Sequence, residues 1–376
     1  MSPGPERMQP DAAASRRPGR ALIGLAIGAA GGAAAAALGT PLPWLLGALI
    51  ATALVGLAGL PLAVPVRARQ TGQVVVGCAV GLYFTAPVAA EVAAYGLHMV
   101  GVGIVSILAG AGLALVLARA AGVDRKTAYF ASLPGGVAEM AVLAERHGGD
   151  AALVALAQSL RIVCVVLVVP PTLTVLGVTG TQSADTLALP VRAPALIAML
   201  ALAGLLAVAL DRARVTNPWL LGGLCVGVAV ALSGLPGSRV PSWGVDAAQV
   251  LIGAALGARF GRGVLVRLRV FAACAAAGTL TLIAFGALLA WLLSAATGLP
   301  VATLVLAAAP GGVAEMSITA KVLGLGVPLV TAFHVVRIVL IILVSEPLFV
   351  LARRLAARRS RRDGNRARGE ADGPRS

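Results

Sequence analysis

Two glutamates and two arginines stand inside apolar stretches of this chain. Glu139 and Glu315 each follow a Pro-Gly-Gly triplet by three residues, the triplets being Pro134-Gly135-Gly136 and Pro310-Gly311-Gly312. Arg161 and Arg337 come next, at the same separation from their glutamates, flanked by Ile, Val, Cys and Leu. A carboxylate in hydrocarbon costs about 2.5–3.5 kcal/mol on insertion scales, so it needs a partner or a role. Two readings stand for the glutamates: each caps its own helix start, or each is a titratable carboxylate on the path of a solute or a proton. Arginine stays charged, so a buried one requires a carboxylate, a carbonyl or an anion beside it. The equal spacing makes the ion pairs Glu139–Arg161 and Glu315–Arg337 the plain expectation. The sharper alternative is that one or both arginines receive an anionic substrate.

Three residues before each arginine, on the same helix face, lies Gln158 in one case and His334 in the other. An imidazole can exchange a proton near neutral pH and an amide cannot. His334 is therefore a candidate proton carrier, with a hydrogen-bonded packing role as the alternative. Gln73 and Gln249 each open a Gln-xxx-Gly-xxx-Gly face, with Gly77 and Gly81 or Gly253 and Gly257. Small residues four apart allow close helix contact, and the two glutamines can add polar groups to a cavity. No His/Glu/Cys cluster has metal-ligand spacing, and neither a GxxxxGK[ST] loop nor a GxSxG elbow occurs. No catalytic residue, metal or cofactor is expected.

A broken helix, used twice, must position these groups. The proline removes a backbone donor and the glycines let the chain turn sharply. Within a membrane such a segment is a broken or re-entrant helix, shielded from lipid by protein. The half-helix that begins near Val137 exposes free amides and a positive dipole end, which favour an anion. Each triplet belongs to a longer repeat. Leu133-Pro-Gly-Gly-Val-Ala-Glu-Met140 matches Ala309-Pro-Gly-Gly-Val-Ala-Glu-Met316, Pro43-Trp44-Leu45-Leu46-Gly47 matches Pro218-Trp219-Leu220-Leu221-Gly222, and Arg161-Ile162-Val163 matches Arg337-Ile338-Val339. Composition bias does not produce seven identical residues in a row, so the chain is two copies of one unit.

Each unit offers six apolar segments, near 21–38, 43–60, 71–93, 95–118, 127–145 and 151–176, then near 192–210, 218–235, 243–258, 270–293, 300–323 and 325–351. Most approach the roughly 20 residues that cross a bilayer. Basic residues mark the cytoplasmic side. Arg119, Arg125 and Lys126 lie between the fourth and fifth segments of the first unit, whereas in the second unit the charges move to other loops: Arg212 and Arg214, then Arg259, Arg262, Arg267 and Arg269. Corresponding loops therefore face opposite sides and the units are inverted, which requires an odd number of crossings in each. The expected fold is an all-α polytopic membrane protein of two inverted repeats, each with five transmembrane helices and one Pro-Gly-Gly broken or re-entrant helix. Arg239 and Lys321 fit this imperfectly, and a plain twelve-span bundle is the alternative. The expected organisation is a basic cytoplasmic tail (1–20), repeat 1 (21–177), repeat 2 (190–352) and an Arg-rich disordered cytoplasmic tail (353–376).

Composition agrees. Of 376 residues, 59% are hydrophobic and 12% charged, with a mean hydropathy of +0.94, whereas a soluble domain carries about 25% charged residues. The net charge of +15 is concentrated in the tails, which points to anionic lipid and not to nucleic acid. The four cysteines show no CxxC spacing.

The duplicated PGGVAEM, followed by a segment carrying QSLRIV or HVVRIV, resembles the AbrB-type duplicated membrane protein family of bacteria over roughly residues 20–352. Its members carry the labels AbrB family transcriptional regulator and ammonia monooxygenase. The resemblance thus implies a regulatory or oxidative role, and the residues fit neither well. The soluble AbrB regulator of the same name binds DNA through a small β-rich domain that has no place here. Three scattered histidines are poor metal ligands. The design is also similar to inverted-repeat antiporters and anion transporters. The expectation is a secondary transporter in the bacterial inner membrane, with both termini cytoplasmic, that moves a small solute, an anion or zwitterion before a cation, coupled to protons or another cation. Any effect on gene expression is then indirect. The rival is a membrane sensor that binds a solute or partner without transport, and an ammonia monooxygenase-type enzyme comes third. A homodimer is compatible with this sequence.

Overall fold

A computed structural model describes residues 18–40, 42–60, 62–180, 190–233, 238–261 and 268–371, which form helices and turns and, among the described residues, no strand. The first unit contains α1 (Pro18–Ala37), α2 (Pro43–Leu57), α3 (Val66–Gly81), α4 (Ala86–Ala94), α5 (Gly96–Ala120), α6 (Arg125–Ser132), α7 (Val137–Arg146) and α8 (Ala151–Val175). The second contains α9 (Ala193–Arg212), α10 (Pro218–Ser233), α11 (Ser242–Gly257), α12 (Arg269–Thr297), α13 (Val301–Ala308), α14 (Val313–Val322) and α15 (Val327–Ala371). The junction 181–189, Arg16, Arg17, Arg262 and Arg267 lie outside the described residues. So does the end of the chain beyond Ala371. Up to that point α15 continues as helix through the stretch the sequence reading leaves disordered.

Among the described residues six helices are long and apolar enough to cross a bilayer, α1, α5, α8, α9, α12 and the α15 stretch to Leu351, and α3 with α4, bent by 94° at their break, would make a seventh. The helices α2, α3, α10 and α11 are shorter, at 15 or 16 residues. The two units pack reciprocally: α2 lies against α11 as α10 lies against α3, and α5 against α15 as α12 against α8. The largest buried cluster sits where they join and draws Leu45, Leu49, Val76, Leu220, Leu224, Ile252 and Leu256 from the four short helices.

Those four helices cross at backbone contact. A side-chain carbon on Gly77 would strike Leu220 O, with Leu224 N and Gly223 Cα close behind, and one on Gly223 would strike Val74 O. At the equivalent crossing Gly253 faces Leu45 O and Gly257 faces Leu49 O and Thr52. Without a hydrophobic drive between helices in lipid, close approach and dispersion must hold them, and glycine makes that approach available.

The fifth segment of each unit is a helical hairpin. Near the start of α6 the Thr127 hydroxyl accepts a hydrogen bond from Asp150 N, beyond the end of α7, at 2.8 Å. In the second unit Thr303 Oγ1, in α13, accepts from Gly326 N, beyond α14, at 3.4 Å. Each hairpin thus returns to the level at which it began, with its Pro-Gly-Gly at the tip. Asp124 caps α6 by accepting from the amides of Lys126 and Thr127 and from Thr127 Oγ1. Burial acts to raise its pKa, but these hydrogen bonds and the Lys126 charge outweigh it and hold the carboxyl below its ordinary value. A depressed pKa means that the cap is present above the unfolded value and is lost as pH falls through the lowered one.

Gly77→Val should lower stability by about 1–3 kcal/mol, the usual cost of overpacking, read as a drop in the thermal midpoint of purified protein in detergent. An unchanged midpoint would contradict the close α3–α10 crossing.

Candidate functional site

At the C-terminal end of a helix the last carbonyls have no partner within the helix. Here α6 and α13 end deep in the protein, and the side chains that answer them come from α8 and α15. Arg161 donates from Nη1 to Leu133 O at 2.6 Å and from Nη2 to Gly135 O at 2.7 Å. Arg337 repeats this on Ala309 O at 2.6 Å and Gly311 O at 2.7 Å. Gln158 Nε2 donates to Phe130 O at 2.8 Å and Leu133 O at 2.9 Å. His334 takes the same place in the second unit, with Nε2 2.9 Å from Leu306 O. Arg337 Nη2 lies 2.7 Å from His334 Nδ1. The guanidinium can only donate, so Nδ1 accepts, Nε2 carries the hydrogen and the ring is neutral. Both ring nitrogens of this fully buried histidine are therefore engaged.

A hydrogen bond joins the two breaks. Arg161 Nε donates to Pro310 O, in the opposite break, at 2.9 Å, while Arg337 Nε is buried without a partner. Arg161 therefore ties both hairpin tips together. With each arginine only 4% exposed, these charge-assisted bonds replace water. The expected ion pairs Glu139–Arg161 and Glu315–Arg337 do not form. Among the described residues the salt bridges are Arg146–Glu346 and His147–Glu346. The physical reason is that a fork of donors fits a helix end with free carbonyls, and the glutamates sit past the turn, on the following helix.

Each glutamate folds back over its cap glycine. A side-chain carbon on Gly136 would collide with Glu139 Oε2, and one on Gly312 with Glu315 Oε2. Neither carboxylate has a hydrogen bond among the described residues, and Glu315, 2% exposed, keeps Oε1 buried and unpartnered.

Both tips open on one cavity of about 340 Å³. Its wall includes Pro134, Gly135, Gly136, Gly311, Gly312, Glu139, Glu315, Arg161, Arg337 and Gln73. Pro310 reaches the site through its carbonyl. Gln158 and His334 stand behind the wall, holding carbonyls. Gln249 is not brought in; it is buried 3.5 Å from Asp246 Oδ1. Among the further residues of the wall that the sequence reading did not single out as site residues are Arg69, Asn217, Trp219 and Arg259. Their signal is position. Arg69 lies one turn before Gln73, Arg259 two residues after Gly257, and Asn217-Pro218-Trp219 opens α10.

The two halves of the chain contribute unequally. Val66, Arg69, Gln70 and Gln73 of α3 line the cavity, and so do Thr216 to Trp219. None of their described repeat counterparts on the other side lines it: Val245, Gln249 and Leu42 are buried at 5%, 3% and 0% exposure, while Asp246 and Trp44 are half-buried and Ser242 is exposed elsewhere.

A family described as transition state regulatory protein AbrB matches residues 44–353. The chain belongs to this AbrB family. Two relatives agree over nearly their whole length. The uncharacterized protein YhjN of Bacillus subtilis (strain 168) is 29% identical over 357 residues, covering 88% of this chain and 92% of that protein. A protein of Escherichia coli (strain K12), named as a candidate regulator AbrB, is 26% identical over 334 residues, covering 85% and 92%. No solved structure matches. The AbrB match takes in both Pro-Gly-Gly breaks and both arginines.

Arg161→Lys removes the fork from three carbonyls and should destabilise the protein by about 2–3 kcal/mol, given roughly 1.5–3 kcal/mol for a hydrogen bond to a charged group. In a double-mutant cycle with Glu139→Gln the two effects should add within about 0.5 kcal/mol. A larger coupling energy would restore the ion pair.

Proposed function

We propose that the protein is a secondary carrier that moves a small anionic solute together with protons by alternating access. The observation that carries this reading is the one-sided cavity. Two units that share the same motifs build a site at their junction that is lined by α3 and the start of α10 but not by their repeat counterparts, of which Gln249 and Leu42 are buried. A duplicated chain can exchange these conformations between its halves, which would open the same site to the other side.

The inverted topology belongs to this reading and is supported by hairpin closure. If each hairpin enters and leaves at one level, the remaining long and short helices give each unit an odd number of crossings. Charge then orients the chain. Arg67 and Arg69 at the start of α3 join Arg119, Arg125, Lys126, Arg146, Arg212, Arg214 and Arg259 on one side, together with both termini. Arg239 and Lys321 fall on the other, where Lys321 lies within electrostatic reach of Asp246 and of Arg239. On this assignment the cavity faces the cytoplasm of a bacterial inner membrane, and the Arg-rich ends meet anionic lipid.

Glu139 and Glu315 are the coupling groups in this scheme, because they are carboxylates at the cavity that the helix breaks do not consume. His334 serves as a positioning residue for Arg337. Regulation, named in the family description and in one relative, would follow from the level of the transported solute. A sensor that binds without transport is the second reading, favoured only by those names.

In proteoliposomes, a panel of small organic acids, amino acids and ammonium should give a substrate-dependent, proton-linked current for one anionic class. Glu315→Gln should abolish the current while the protein remains folded and inserted. A full current in that variant would remove Glu315 from the mechanism, and binding with no current for any member would favour the sensor.

A further inference from the structure

The cavity contains two arginines that the helix breaks do not use. Arg69 lies in the first turn of α3 and Arg259 in the turn after α11, and both line the wall. Arg259 donates from Nη1 to Ser159 Oγ at 3.1 Å. Arg69 makes no hydrogen bond among the described residues, and its Nε is buried without a partner. The two guanidiniums are near enough to repel one another, and Glu315 attracts Arg259. Repulsion between like charges held in a partly closed space is relieved by an anion that bridges them. The wider balance points the same way. Four guanidiniums line the cavity against two carboxylates, a surplus of two positive charges. The forks of Arg161 and Arg337 are turned onto carbonyls, which leaves Arg69 and Arg259 as the guanidiniums of the wall that no helix break holds.

We propose that Arg69 and Arg259 receive a small organic dianion of the dicarboxylate class, and that this ligand and ionised Glu315 compete for Arg259. Removing the charge of Glu315 releases Arg259 to the ligand. The other charged groups around Glu315 are Arg69 on α3, Glu139 on α7, and Arg161 and Arg337, whose positions on the tips are fixed. The inference deepens the carrier reading, since it assigns the substrate class of the same cavity, but its test reads binding alone.

Isothermal titration calorimetry on the full-length protein in detergent would use succinate as the probe, with acetate and methylammonium for comparison. Succinate should bind, acetate about tenfold more weakly or worse, and methylammonium not at all. Arg69→Gln and Arg259→Gln should each weaken succinate by about tenfold or more, as loss of a charged hydrogen-bond partner does, with thermal midpoints near that of the unsubstituted protein. At one neutral pH, where succinate is fully ionised, Glu315→Gln should bind it severalfold more tightly than the unsubstituted protein does. The site is overturned if succinate does not bind, if acetate binds as well, or if both arginine variants bind as before. Unchanged or weaker succinate binding in Glu315→Gln at that pH would overturn the competition for Arg259. Succinate binding that depends on the two arginines, in a protein that carries no current, would keep this site and sink the carrier reading.

Discussion

A helix that stops in the middle of a membrane leaves carbonyls facing hydrocarbon, and the cost of several kcal/mol for each unpaired group decides what the rest of the chain must supply. In this protein the answer is a planar fork of donors. Arg161 and Arg337 each hold two carbonyls of a Pro-Gly-Gly turn at 2.6 to 2.7 Å. The arrangement satisfies both sides at once. The breaks gain partners and the positive end groups meet the negative ends of α6 and α13, so two features that would be costly alone become compatible. Lysine, a point charge with a different shape, could not fill the same role. The glutamates follow from this. Because the arginines are committed to the backbone, Glu139 and Glu315 are left facing a cavity without a counter-ion of their own on the same hairpin.

Symmetry sets the frame and departures from it carry the function. The crossings α3–α10 and α2–α11 are equivalent, yet one rests on Gly77 and Gly223 and the other on Gly253 with Ala48 behind it. Gln158 and His334 occupy one place and hold matching carbonyls with different chemistry. Arg161 reaches across to Pro310, and Arg337 Nε makes no return hydrogen bond among the described residues. Each difference is small, and together they leave two similar halves in unlike surroundings, with a cavity open along one of them.

Much of this architecture was legible in the sequence. The duplication, the helix breaks at Pro134 and Pro310 and the polar residues at the tips stand out because charge and Pro-Gly-Gly are rare in apolar segments. The family resemblance also held. The spacing between Glu139 and Arg161 misled, because equal separation shows only that two residues belong to a repeat unit, and says nothing about which group a guanidinium prefers when free carbonyls are nearer. Gly77 and Gly81 read correctly as a close-packing face, but their partners Gly223 and Gly227 on α10 could be found only once the helices were paired. Arg259 read as an ordinary loop charge and Arg69 drew no reading, since a sequence does not reveal that two distant helix ends open on one cavity.

The account stands or falls on two arginine-clamped hairpins that enter from opposite faces and meet at their tips. Single cysteines at Glu145 and Val322, near the ends of α7 and α14, in a chain with its four native cysteines replaced, report this directly when labelled by a membrane-impermeant thiol reagent in oriented vesicles. The account predicts that Glu145→Cys is labelled only from the cytoplasmic face and Val322→Cys only from the opposite one. Labelling of both from the same face would contradict the inverted arrangement and the alternating-access reading with it.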